Sequence, residues 1–423
     1  MSPRGQASLQ PVPVVRRLDA ASVTAAWGAP DLLRSFTDRP DPEAGIEAEL
    51  WYGAHPGHPS IVHEGERLVP ASELPEPERP APLVKLLAAG APLSIQVHPD
   101  DATAQRGFAE EEAAGVPLGS PVRRYVDPAG KPEIVRALSP MRVLCGLRPA
   151  HASRALLSRL VPEGADVLLE TLAHGDGGPA EAVALLLRAD AVTAGVLLAA
   201  VADGARDVMD RVEAAASGEP VPDPTLDPAL ERAARLAIDL QERHPGDVGA
   251  VVALLLDDID LAPGEALWVA PGTPHAYLSG LGLEVMASSD NVLRAGLTVK
   301  HVDTEEFLAV LDPAAVGARH VGTLSRSADG RGWRRRILPT AGFLIDEVEV
   351  DGPLAVERGG GASLLLSLHG PVTVRGGDGS SVDLGPGGAA LLAPGADSVT
   401  VDGRGSVVHV GWLSPASPDP TSV

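Results

Sequence analysis

Along the first 145 residues, short apolar runs are set between prolines and glycines. Residues 12–15, 61–62, 93–97 and 134–138 are mostly of strand length and end in turn formers, which predicts strands. Between about His151 and Asp257 the spacing changes. Glu181-Ala-Val-Ala-Leu-Leu-Leu-Arg188 and the run from Leu230 to Leu240 place apolar side chains three and four apart, predicting an Ala-rich helical block. Residues 217–228, with Pro220, Pro222, Pro224 and Pro228, are expected to interrupt it as an exposed loop. From Leu261 onward the strand pattern returns, in runs at 266–270, 283–287, 343–350, 363–368, 372–374, 389–393 and 407–410. Strand runs at this spacing point to a sandwich or a jelly-roll barrel.

An internal echo refines that expectation. Leu261-Ala-Pro-Gly264 through Pro271-Gly272 matches Leu384-Gly-Pro-Gly387 through Pro394-Gly395 in register. Each copy reads as a Pro-Gly turn, a buried strand and a second Pro-Gly turn, which fits two barrels of one kind. The copies then diverge, with His275 three residues past the first and Ser398 three past the second. A chemical role for His275 would make the second barrel structural.

Composition narrows the function classes. The 423 residues are 44% apolar, enough for a large core, and at roughly 100–200 residues per domain they allow two to four domains. Aromatics are 3%, so Ala, Val and Leu must fill most of the core. A net charge of −23 disfavours nucleic acid or an anionic membrane as a partner and requires a local basic pocket for any anionic substrate. The single Cys145 can form no intrachain disulfide, and it reads as a buried apolar residue. The stretch 191–202 is too short to span a bilayer, and residues 1–18 lack the pattern of a targeting segment. A cytoplasmic globular protein, acting as a monomer, is expected.

The candidate chemistry is scattered along the chain. In Leu93-Ser-Ile-Gln96-Val-His98-Pro-Asp the strand alternation puts Gln96 and His98 on one face. Alone they read as a hydrogen-bonded core pair. Gly130-Lys-Pro-Glu133 opens a strand with a carboxylate, and Pro271-Gly-Thr-Pro-His275-Ala-Tyr277 holds a histidine in a rigid turn. Together two imidazoles, one carboxylate and one amide oxygen form a plausible set for a divalent metal, and Zn²⁺ accepts His and Glu readily. One Glu against M²⁺ leaves the site near +1, which suits an oxyanion. The segment from Glu284 to Lys300 carries Glu284, Asp290 and Arg294 into an apolar stretch, so these are candidates for a charge network around a pocket.

Six segments carry a family resemblance: Ala48-Glu-Leu-Trp-Tyr-Gly-Ala-His55, Leu93-Ser-Ile-Gln-Val-His-Pro99, Lys131-Pro-Glu133, Leu144-Cys-Gly-Leu-Arg-Pro149, Pro274-His-Ala-Tyr-Leu278 and Ser289-Asp-Asn-Val-Leu-Arg-Ala-Gly-Leu-Thr298. In this order they resemble the type I mannose-6-phosphate isomerases. The resemblance implies a mainly β fold of two cupin-type jelly-roll barrels with an α-helical insertion. It also implies a zinc enzyme, one Zn²⁺ per chain, that interconverts mannose 6-phosphate and fructose 6-phosphate through an enediol(ate). Carried over by position, Gln96, His98, Glu133 and His275 would be the metal ligands and Arg294 the catalytic arginine. Ser94, Lys85, Lys131 and Lys300 match sugar-phosphate positions, and Glu284, Asp290 and Tyr277 match pocket residues. The base stays open among Glu284, Asp290, Lys131 and an activated water, with the carboxylates preferred. The implied division is 1–150 with 258–315 as the catalytic domain, 151–257 as the helical insertion and 316–423 as a C-terminal β domain without ligands.

Two positions depart from the family pattern. Gly130 stands where many members have His, and Asp101 where many have Lys. They bear on substrate affinity and proton relay more than on reaction class. Two competing readings remain at this level. One is an iron-dependent cupin oxygenase, for which the Lys, Arg and Ser set has no evident purpose. The other is a non-catalytic sugar-phosphate or metal-binding cupin.

Overall fold

A computed structural model describes residues 12–37, 45–80, 82–161, 163–217, 227–315, 318–320, 323–326, 332–337, 343–356, 361–395 and 399–412. Most of the expected loop at 217–228, and Ser398, lie outside the described residues. The architecture is two β-structures with a helical layer, and the first is built around one long strand, His275–Ala287. Its second half lies between strands Glu133–Ala137 and Pro82–Ala89, with Gly282 opposite both Ala137 and Leu87. Its first half lies against Met141–Leu147, and His275 is opposite Gln96 of strand Ile95–Val97. The first layer continues through Glu47–Tyr52 and Ala266–Val269, the second through Leu256–Leu261 and Leu293–Gly296. One strand thus serves both layers of the barrel, and the site stands where they meet.

The period of two explains how the strands of the second layer bury both faces. Ile95 and Val97, Ala276 and Leu278, and Leu293 and Ala295 pack into the helical core. Gln96, His275, Tyr277 and Arg294 alternate with them and so take the opposite, barrel-interior face. The helical block is what makes this possible, because it covers apolar side chains that would otherwise face water.

Those helices form as their spacing predicts. Helix Pro228–Arg243 starts with Asp227 accepting from Leu230 N at 2.8 Å and with Pro228 at its first position. Leu230, Ala233, Ala234, Ala237 and Leu240 give it one buried stripe. Helix Ala191–Ala216 is capped by Asp190, which accepts from Thr193 N at 2.8 Å. It crosses helix Ala150–Leu160 so closely that a Cβ on Gly204 would fall 1.7 Å from the Leu160 carbonyl oxygen. Gly204→Ala is therefore expected to destabilise the fold by about 1–3 kcal/mol through forced separation of the helices. Urea denaturation followed by circular dichroism measures it; an unshifted midpoint would mean the helices separate without cost.

The second β-structure repeats the turn–strand–turn unit of the first. Strands Ala266–Val269 and Ala389–Leu392 occupy equivalent places in the two copies. The turn glycines share the left-handed region, at φ +94 and +82 for Gly264 and Gly272 and +77 and +70 for Gly387 and Gly395. Strand Val15–Asp19 does not join its sequence neighbours. It runs antiparallel to Ala389–Leu392 on one side and to Ile61–Glu64 on the other, within the second sheet. Arg16 on that strand is buried and ion-paired with Glu64 at 3.0 Å and Glu78 at 2.9 Å. A bidentate Arg136–Glu347 ion pair and a Tyr52 hydroxyl donating to Gly387 O at 2.7 Å add polar links between the two β-structures.

Candidate metal centre and active site

Strand ends bring the donors together. Glu133 opens Glu133–Ala137 and His275 opens the long strand, while His98 follows Ile95–Val97 directly. The register sets Gln96 opposite both His275 and Arg294. His98, Glu133 and His275 are buried, with one donor atom from each lying within 4.8 Å of the others. His98 Nε2 is 3.3 Å from Glu133 Oε1, and His275 Nε2 is 3.4 Å from Glu133 Oε2.

The outer nitrogens of both rings are already used. His98 Nδ1 lies 3.0 Å from Asn291 O, and His275 Nδ1 lies 3.0 Å from Thr273 O. A carbonyl only accepts, so each Nδ1 carries the proton and each Nε2 presents a lone pair. Both Nε2 atoms are buried and lack a hydrogen-bond partner among the described residues. Two buried lone pairs converging on a carboxylate repel one another unless a cation lies between them. The donor set suits zinc, since neutral imidazoles and one carboxylate match its preferences.

The charge states agree with that fit. Burial pushes the His98 pKa down to about 4, so the ring is neutral near pH 7. Burial pushes the Glu133 carboxyl up, but at the acid pH where it titrates the protonated His98 ring, together with the Lys131 ammonium, outweighs it and holds it well below the usual carboxylate range. Lys131 Nζ sits 2.9 Å from Glu133 Oε1. Both shifts have the same sign in linkage. A histidine that stays neutral to about 4 when folded titrates near 6.5 when unfolded, so acid favours the unfolded chain across that interval. Zinc-free protein is expected to lose thermal stability steadily as pH falls from about 6.5 to 4, on the order of a few kcal/mol. Melting temperatures measured in chelator across that range check this, and a flat profile would contradict it.

A second buried group adjoins the first. Glu284 accepts from the Tyr277 hydroxyl at 2.9 Å and pairs with Lys85 at 3.5 Å. Lys85 also reaches Glu49 at 3.5 Å and lies 4.3 Å from the Trp51 ring centroid. Burial, with Glu133 nearby, pushes the Glu284 carboxyl up. For Lys85, burial pulls down, but Glu284 and Glu49 together hold its pKa above the ordinary value. Tyr277 is pushed well up by burial and Glu284, so it stays a neutral donor.

The remaining sequence candidates are exposed or half-buried. Asp290 is exposed, with Oδ2 3.1 Å from His55 Nε2, a bond that lowers its pKa despite partial burial. Arg294 is half-buried, and burial lowers its pKa from a value so high that it stays a cation. It lines a cavity of about 350 Å³ with Lys300, His301, Arg123, Arg124 and Asp303. Ser94 is half-buried just before strand Ile95–Val97.

Several residues that organise the site were not singled out from sequence. Asn291 is fully buried; its Nδ2 donates to Asp127 O at 2.8 Å and Ala129 O at 2.9 Å, and its Oδ1 accepts from Val126 N at 2.9 Å. Asp127 in turn accepts from Ser289 Oγ and Asp290 N, both at 3.0 Å. These bonds tie the Ser289–Asp290–Asn291 turn to the loop that leads into Lys131 and Glu133. For Asn291 the sequence signals were the density of polar residues in an apolar stretch and its place in the Ser289–Thr298 segment of the resemblance; Asp127 lies in none of the six segments. The two family departures also prove to be one arrangement. Asp101 Oδ1 accepts from Gly130 N at 2.8 Å, and a Cβ at 130 would fall 2.6 Å from Asp101 N. A side chain at 130 is excluded by the same backbone approach that occupies the Asp101 carboxylate.

The site can be set beside known proteins. Residues 15–150 match the family described as phosphomannose isomerase type I, catalytic domain. The mannose-6-phosphate isomerase of Escherichia coli (strain K12) is 31% identical over 400 residues, covering 91% of this chain and 96% of that protein. The chain belongs to the type I phosphomannose isomerase family. The Salmonella typhimurium mannose-6-phosphate isomerase is 34% identical over 300 residues, 67% of this chain and 71% of that protein. Family members also share the fold. A crystal structure of the Salmonella typhimurium enzyme bound to substrate, fructose 6-phosphate, and to a zinc atom has a TM-score of 0.76 at 28% identity, covering 95% of this chain and 100% of that one. A mutant of the same phosphomannose isomerase superposes with a TM-score of 0.79 at 26% identity over the same shares. These relatives favour neither the iron oxygenase nor the non-catalytic reading of the sequence.

Proposed function

We propose that the protein is a zinc-dependent aldose–ketose isomerase that interconverts D-mannose 6-phosphate and D-fructose 6-phosphate. The observation that carries this reading is the pair of buried Nε2 atoms on His98 and His275, without hydrogen-bond partners among the described residues and converging on Glu133, in a chain that matches mannose-6-phosphate isomerases over nearly its whole length. His98, Glu133 and His275 would hold the zinc, with Gln96 as the neutral oxygen donor beside them. When bound, zinc supplies Lewis-acid polarisation of sugar oxygens.

Moving a proton between C2 and C1 needs a base that reaches both carbons and a cation for the enediolate charge. Arg294 offers a fixed positive charge and five donors, so it stabilises the developing oxyanion and does not accept a proton. Asp290 is assigned the base, because its carboxylate is ionised and accessible while His55 holds it. Glu284 serves the pocket in another way. Fixed between Tyr277 and Lys85, it keeps that lysine charged and in place. Lys85 and Lys131 each lie against buried carboxylates, so they carry less of the phosphate's charge than the sequence pattern implies. Lys300 lines the cavity beside Arg294 with no carboxylate within ion-pair distance among the described residues, and it is the leading phosphate contact, with Ser94 as a hydroxyl donor.

The proposed division is a catalytic domain (1–150 with 258–315), a helical insertion (151–257) and a C-terminal β domain (316–423), with strands Val15–Asp19 and Ile61–Glu64 of the first segment lying in the sheet of the last. No single helix among the described residues is long and apolar enough to cross a membrane. A cytoplasmic monomer acting on a small sugar phosphate, with neither nucleic acid nor membrane as partner, completes the proposal. The purified protein is expected to turn over mannose 6-phosphate in an assay coupled through an auxiliary isomerase to glucose 6-phosphate. Chelation should abolish the rate and added zinc restore it. Inactivity of the zinc-loaded protein would refute the reading.

A further inference from the structure

Asp247 lies between helices Pro228–Arg243 and Gly249–Val252, within the helical region. Its Oδ1 accepts from Gly249 N at 2.8 Å. Its Oδ2 accepts from Leu297 N at 2.6 Å and from Thr298 N at 3.3 Å. The segment it grips is the exit from strand Leu293–Gly296, which carries Arg294.

The backbone there is held in an uncommon shape. Leu297, at φ +57, is alone among the described non-glycine residues in the left-handed region, and Gly296 precedes it at φ +150. A Cβ on Gly296 would fall 2.5 Å from Asp247 Oδ1 and 2.8 Å from Gly249 Cα, so the two backbones are in contact. A leucine in this region is strained and persists only where its surroundings over-determine it. Two influences do so. The Leu297 side chain is buried in the helical core, and its N–H is taken by Asp247.

The effect runs forward along the chain. Thr298, held by the same carboxylate, accepts from Lys300 N through Oγ1 at 3.1 Å. A continuous set of bonds therefore leads from the helical insertion to the backbone that presents Lys300. We propose that Asp247 is a positioning residue for the isomerase. By fixing the 296–298 turn, it aims Lys300 at the substrate phosphate and so makes the insertion part of substrate binding. This rests on the reading of Lys300 as a phosphate contact.

The test is a mutant cycle on the zinc-loaded, full-length enzyme with mannose 6-phosphate as substrate: Asp247→Ala, Asp247→Asn, Lys300→Ala and the Asp247→Ala/Lys300→Ala double variant. Asp247→Ala is expected to raise KM about tenfold with kcat changed by no more than about threefold, and zinc content unaltered. Asp247→Asn keeps an accepting oxygen and should recover part of the loss. In the Lys300→Ala background, Asp247→Ala should add nothing to KM, because the two act through one contact. A double variant whose KM rises by the product of the single effects overturns the proposal. So does a parental KM in Asp247→Ala while Lys300→Ala raises it. A parental KM in Lys300→Ala removes the phosphate reading itself, and the proposal with it. If Asp247→Ala does not fold, Asp247→Asn carries the same comparison.

Discussion

His275→Ala is expected to yield a folded protein without zinc, whose turnover falls by about 10³-fold or more. The size follows from the several kcal/mol that a Lewis acid contributes to the transition state, at about 1.4 kcal/mol per factor of ten. His275 opens the long strand, but its backbone pairs with Cys145 and Gln96 whatever the side chain. The fold should therefore survive, and His98→Ala should behave alike. Elemental analysis, circular dichroism and the coupled assay on each variant separate the outcomes. Full activity in a variant shown to lack metal would end the assignment of these histidines. Loss of activity with zinc retained would move their role from ligation to something else.

Arg294→Ala is expected to leave zinc content intact while kcat falls by about 10²–10³-fold. That is the range found when a donor to a developing oxyanion is removed from a water-poor site. The side chain is half-buried and lines the cavity, on a strand paired with that of Gln96, so it can act on the substrate without touching the zinc. Its hydrogen bond to Val292 O is long, at 3.4 Å, which leaves most of the guanidinium donors for a ligand. Arg294→Lys should recover only a minor part of the rate, since a point charge lacks the planar fork. A kcat within a few-fold of the parent in Arg294→Ala would show that this guanidinium does not stabilise the transition state.

How far the sequence reaches depends on whether a feature is local. The helical block was legible because three- and four-residue spacing survives in any context; 181–188 and 230–240 fall almost wholly in helices Gly178–Leu187 and Pro228–Arg243. The strands near the site were legible as short runs between turns, and the Pro-Gly echo marked two similar barrels. Residues matched by motif, such as His98, Glu133 and His275, could be named without coordinates. The groups that hold them in place could not. Asn291 and Asp127 fix the ligand loop although 164 positions separate them, and neither carries a signature as an isolated side chain.

The sequence alone determined the element types and the family, and named the candidate donors, because side-chain chemistry and period are properties of neighbouring residues. Only the tertiary structure decided that Val15–Asp19 pairs with Ala389–Leu392, near the opposite end of the chain. It also decided that Gly130 and Asp101 form a single contact, and that the helical insertion holds the turn before Lys300. Each of these depends on a contact between distant segments, and the free energy that selects such a contact comes from burial and hydrogen bonding in the assembled fold rather than from any local pattern.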